Sequence, residues 1–99
     1  LKGLYAYMSQ LQELPDTIGE LKKLEKCTLF SNQLKQIPAS IGALKNLSYL
    51  NLAENQLTQL PESIKYLYKL RNLKLSANPI AASTQAQIQS WLPKVRIEF

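Results

Sequence analysis

The sequence predicts an α/β solenoid, in which short parallel strands from stacked repeats line one face and tight helical turns line the other. Three observations carry this. The chain repeats itself every 23 residues, each repeat joins a strand-like half to a proline-led helical half, and the pattern breaks after Pro79. Fixed self-similarity at such a period marks an array whose units bury their apolar faces only on one another.

The repeat is clearest in Leu24–Asn46. Shifted by 23 residues, Leu24 falls on Leu1, Leu47 and Leu70, and Cys27 falls on Leu4, Leu50 and Leu73. Leu29 falls on Ala6, Leu52 and Leu75, and Leu34 on Leu11, Leu57 and Ile80. The 99 residues form one expected domain, with repeats at 1–23, 24–46 and 47–69, a partial repeat at 70–80 and a cap at 81–99.

Each unit opens L-x-x-L-x-L, whose last apolar pair alternates as a half-buried strand requires. Strands are expected around Leu4–Tyr7, Cys27–Phe30, Leu50–Ala53 and Leu73–Ser76. Stacking sets them parallel, about 4.8 Å apart.

A bend follows each strand, marked by Asn32, Asn55 and Asn78. A buried amide there can satisfy main-chain groups that no ladder reaches. Losing an inner amide should cost about 1–3 kcal/mol in unpaired backbone groups. Ser9 takes this place in the first unit.

The return half reads Leu14-Pro15, Ile37-Pro38 and Leu60-Pro61, each followed by Ile and Leu at spacings of three. The prolines are expected at a first helical position, where no donor is needed. Short 3₁₀ or α turns should follow. Thr17 and Glu20 have capping-box spacing, a match that chance within this pattern explains.

After Pro79 a longer helix is expected, capped by Ser83 or Thr84, with Ile88, Trp91 and Leu92 on one face. Pro93 ends it, and Val95–Phe99 alternates as a fifth strand. Leu92, Val95 and Ile97 are expected to restore the L-x-x-L-x-L register. Trp91 should plug the last repeat's core, closing the array so that nothing essential is expected after Phe99.

These motifs resemble the leucine-rich repeat family, over Leu1 to Pro79. The resemblance is closest to its 23-residue LPxxI class, found in Ras-group intracellular proteins and bacterial repeat proteins. It implies a right-handed horseshoe fragment of about five short parallel strands on the concave face, 3₁₀ or α turns on the convex face, and protein binding. Ser9, Ala6, Cys27 and Ile37 depart from the pattern, and all but Ser9 keep an apolar core residue.

Composition excludes most chemistry. Without histidine, Ser–His and Cys–His nucleophile pairs are impossible. Gly3, Gly19 and Gly42 are dispersed, so they form no phosphate loop. No His/Cys cluster or alternating acidic loop suggests zinc or calcium. No catalytic, metal-binding or cofactor-binding residue is expected.

Cys27 reads as a buried apolar residue, and a lone free thiol fits a reducing compartment. The cytoplasm is therefore slightly favoured, while a removed leader would allow secretion or surface display. No apolar run is long enough to span a membrane, and no charged-then-apolar leader opens the chain. Asn46–Ser48 is an N-x-S motif, relevant only in a secreted eukaryotic chain. The net charge of +5 comes from scattered lysines, with Lys22-Lys23 the only adjacent basic pair. It reads as a solvated surface, and nucleic acid is not an expected ligand.

What remains is the exposed sheet. Its outward positions include Tyr5, Tyr7, Met8, Lys26, Thr28, Phe30, Tyr49, Asn51, Glu54, Asn72 and Lys74, with Ala53 and Ser76 also assigned outward. Exposed aromatics there suit a protein partner, with the polar residues tuning specificity. Lys74, Asn72 and Arg96 make the other end polar and basic. The alternative is self-association through the first repeat, where Leu1, Leu4, Leu11 and Leu14 lack a preceding unit. Further repeats upstream would cover the same leucines.

Overall fold

The computed structural model describes residues 2–6 and 10–99. The expectations for Leu1, Tyr7, Met8 and Ser9 lie outside them. Five three-residue strands, β1 (Gly3–Tyr5), β2 (Lys26–Thr28), β3 (Tyr49–Asn51), β4 (Asn72–Lys74) and β5 (Arg96–Glu98), form one parallel sheet in chain order. Three 3₁₀ turns, Asp16–Glu20, Ala39–Ala43 and Glu62–Tyr66, run along the opposite side, and α1 (Ala82–Trp91) precedes β5.

The sheet register is the sequence period itself. Leu4, Cys27, Leu50 and Leu73 pair across β1 to β4. β1 to β4 begin one residue earlier than expected and are shorter, because the chain leaves the regular ladder after Tyr5, Thr28, Asn51 and Lys74, and β5 is one residue shorter than expected at each end. Inter-unit bonding nevertheless continues: the Leu29 N–H donates to Asn51 O at 2.8 Å and the Ser31 N–H to Ala53 O at 2.9 Å.

The chain then turns through left-handed backbone at Ser31, Glu54 and Ala77, with φ of 59°, 57° and 59°. None is glycine, so each carries the steric cost of a Cβ in that region. The bend aims the next residue, asparagine in every case, into the space between units.

The core is a column of leucines and isoleucines. Leu24, Leu29, Leu34, Leu44, Leu47, Leu50, Leu52 and Leu57 are fully buried, as is Cys27. Leu4, Leu11, Leu14 and Leu21 are only half-buried, since among the described residues no unit packs on their outer side.

Pro15, Pro38 and Pro61 are not the first helical residues, as expected, but sit one position ahead of them. Each has a φ near −70° (−72°, −68°, −69°) that suits a helix, but a ψ of 154°, 150° or 146° that keeps it extended. Each proline carbonyl accepts the first turn's bond, from Ile18, Ile41 and Ile64 respectively. Thr17 forms no capping box; the Asp16–Glu20 turn has no side-chain cap.

Successive 3₁₀ turns approach closely at Gly19 and Gly42. A Cβ on Gly42 would stand 2.6 Å from Ser63 O, and one on Gly19 2.7 Å from Ser40 O. The third turn has Lys65 at this place, because the α-helix rather than another 3₁₀ turn follows it.

The carboxyl end differs from expectation in two respects. α1 starts after Ala81 and has no side-chain cap, so neither Ser83 nor Thr84 caps it. Instead Gln85 Nε2 donates to Ile80 O at 3.1 Å, tying the helix back to the last repeat.

In β5, Ile97 pairs with Leu73, not with Leu75 as the restored spacing implied. The hydrogen bonds show why. Val95 N–H donates to Leu92 O just as Leu70 N–H donates to Leu67 O, so Leu92 stands where Leu67 does and Val95 where Leu70 does. This final unit is one residue short between its first two core positions. Ile88 and Leu92 are buried, and Trp91 packs half-buried against the core as the expected plug. Among the described residues, no helix is long and apolar enough to cross a membrane.

Candidate functional site

The register puts Gly3, Lys26, Tyr49, Asn72 and Arg96 in one cross-strand row, and Tyr5, Thr28, Asn51, Lys74 and Glu98 in the next. The first and third residues of each strand face away from the core, because strand side chains alternate.

Within these rows Tyr5 is 60% exposed and Lys26 is exposed, while Thr28, Tyr49, Asn51, Asn72 and Lys74 are half-buried. Beyond them Phe30 is half-buried and Glu54 exposed. Ala53 is buried, contrary to its assignment to the outward set. A methyl group there is small enough to be covered by its neighbours. Tyr7 and Met8 lie outside the described residues.

Polar contacts hold part of this face in place. Asn51 Oδ1 accepts the Ala53 N–H at 3.0 Å, and Asn51 Nδ2 lies 3.4 Å from Tyr49 Oη. Lys74 Nζ lies 5.8 Å from the Tyr49 ring centre and 3.8 Å from the Glu98 carboxylate. Tyr49, Asn51, Lys74 and Glu98 therefore form one linked surface cluster, with Tyr5 two strands away.

The arrangement offers little for chemistry. The Cys27 thiol is buried, and burial pushes its pKa up to about 12, so it stays protonated near neutrality. Among the described residues, no group of three or more His, Cys, Asp or Glu side chains could hold a metal.

A second aromatic cluster escaped the sequence reading. Tyr66 and Tyr68 flank buried Leu67, and their rings meet edge to face at 6.3 Å. Lys45 Nζ sits 5.2 and 5.1 Å from the two ring centres and donates to Gly42 O at 2.9 Å. Lys45 and Tyr68 occupy equivalent places in adjacent repeats, so the period alone could have paired them.

The family model for the leucine rich repeat matches residues 22–80. The chain belongs to the leucine-rich repeat family. Among solved structures, this leucine-rich repeat chain is similar over its whole length to a Leptospira interrogans leucine-rich repeat protein, with 40% identity and a TM-score of 0.99. It covers 25% of that protein's chain. It is also similar to the leucine-rich repeat ectodomain of the Arabidopsis thaliana receptor kinase SOBIR1, with 35% identity, a TM-score of 0.68, and coverage of 76% of this chain and 42% of that one. The leucine-rich repeat domain of the type III effector XopL matches at 26% identity and a TM-score of 0.62, covering 99% of this chain and 43% of that one. No match was found among curated proteins. Leucine-rich repeat folds commonly serve as non-enzymatic protein-interaction scaffolds.

Proposed function

We propose that the chain is a non-catalytic interaction module that binds a protein partner on its concave sheet. The observation that carries this is Tyr5, 60% exposed on a regular sheet face beside exposed Lys26. A large aromatic held on a rigid strand loses little entropy on binding, which suits an anchor. Lys26, Asn51, Glu54, Asn72 and Lys74 supply polar groups around it, and Tyr49 and Phe30 add apolar area. Affinity capture from the source cell tests this. Tyr5→Ala with Lys26→Glu should lose the partner while circular dichroism stays unchanged, and Lys35→Glu outside the face should retain it. Equal capture by all three proteins overturns the proposal.

A second reading, self-association through the first unit, rests on half-buried Leu4, Leu11 and Leu14, whose counterparts Cys27, Leu34 and Ile37 are buried. Burying them between two chains would make assembly concentration-dependent. A monomer at high concentration in light scattering rejects it.

A further inference from the structure

We infer that the rim at the amino ends of β3, β4 and β5 is a docking site for an acidic peptide segment of a partner protein. Two adjoining cavities lie there. One, of about 740 Å³, is lined by Tyr68, Lys69, Arg71 and Lys94 together with Glu25, Asn46 and Ser48. The other, of about 560 Å³, shares Arg71 and Lys94 with it and adds Asn72 and Arg96. Four cations thus face one continuous groove that contains a single carboxylate.

These cations are exposed, and among the described residues none of them is in an ion pair. Among the described residues the ion pairs are Lys65–Glu62 and Lys74–Glu98, and neither involves the groove. Lys69 is positioned by a neutral partner, its Nζ donating to Asn46 Oδ1 at 3.0 Å. Tyr68 stands 75% exposed at the groove, braced by Lys45 and the Tyr66 ring. A braced aromatic in one cavity with the Arg71 guanidinium, with Arg96 in the adjoining one, offers bidentate recognition of carboxylates together with apolar contact.

The rim at the other ends of the strands does not share this charge. The cavity at the carboxyl ends of the strands, about 810 Å³, is lined by Gln10, Gln12, Gln33, Gln36 and Gln56, with Lys35 offset by Glu13. A nucleic acid fits the basic groove less well. Tyr68 is its one aromatic platform, where strand-binding grooves stack successive bases, and Glu25 would oppose a continuous phosphate track. A peptide can alternate carboxylates with neutral residues and present a backbone N–H to Glu25.

Fluorescence anisotropy with a short fluorescein-labelled peptide of alternating Glu and Gly around a central Tyr tests this. The native chain should bind it, more weakly as salt is raised. Arg71→Glu with Lys94→Glu should weaken binding at least about ten-fold. Lys2→Glu with Lys35→Glu, the same change in charge placed elsewhere, should weaken it less than about two-fold. No binding, or equal losses in the two double variants, overturns the assignment. So does tighter binding of a single-stranded oligonucleotide of equal charge. The outcome is separable from the concave-sheet reading, because neither double variant touches Tyr5 or Lys26.

Discussion

Asn55 Oδ1 accepts the main-chain N–H of Leu34, one repeat earlier, at 3.0 Å. The same amide's Nδ2 donates to Leu29 O and to Leu52 O, each at 3.0 Å. One side chain therefore ties together two units' backbones at the bend, where the strand ladder has ended. Asn32 and Asn78 repeat the arrangement, accepting from Leu11 and Leu57 and donating to Ala6 and Leu52. The amides form a polar spine through an otherwise apolar column.

Replacing Asn55 by Leu should destabilise the chain by about 1–3 kcal/mol, because it strands the buried Leu34 N–H, while Leu29 O and Leu52 O keep bonds from Asn32 and Asn78. Gln56→Leu, at an exposed position beside it, should cost under about 1 kcal/mol. Urea unfolding of the two variants makes the comparison, and equal midpoints would dismiss the spine.

Gly42→Ala should cost about 2 kcal/mol, since the new Cβ meets backbone, Ser63 O at 2.6 Å, that only a shift of the neighbouring turn can relieve. Lys65→Ala occupies the equivalent place against α1 and should change stability little. Thermal melts of both variants check this difference.

Ala77→Gly should stabilise the chain by about 0.5–1 kcal/mol. Glycine removes the Cβ penalty at φ 59° and gives back part of it as unfolded-state entropy. A gain of a few degrees in Tm is the expected reading, and a loss would show that the methyl group packs usefully.

Cys27 makes stability depend on pH in the alkaline range. Its folded pKa lies at about 12, because burial opposes the thiolate, whereas a thiol in the unfolded chain ionises near ~8.5. Between those values only the unfolded chain releases this proton, so stability falls as pH rises through the window. Below the lower value the contribution is fully present. Cys27→Ala should flatten the slope by up to about 1.4 kcal/mol per pH unit relative to the parent. Native Cys27 should also resist thiol reagents until the chain unfolds.

Much of this fold was legible because a solenoid makes neighbours in space out of residues one period apart. Strand order, the pairing of Leu4, Cys27, Leu50 and Leu73, and the asparagine spine all follow from the 23-residue shift. So did the rows that hold Tyr5, Lys26, Tyr49 and Lys74, since alternation within a strand assigns each residue a face. Exposure was harder to read. Tyr49 and Lys74 share contacts that keep them half-buried, while Ala53 is covered altogether.

The sequence by itself determined the repeat, its core and its outward positions, for periodicity and apolar spacing are local properties copied from unit to unit. Tertiary structure alone decided what happens where copying stops or where units meet unlike neighbours. It set Ile97 beside Leu73, 24 residues on where the repeat has 23, since the helix lengthens the return and the step from Val95 to Ile97 is one residue short. It placed Ser31, Glu54 and Ala77 in left-handed backbone, because the bend needs that conformation whatever the residue. It also gathered Tyr68, Lys69, Arg71, Lys94 and Arg96 on one rim, where residues from a repeat and from the segment after α1 converge without sharing a period.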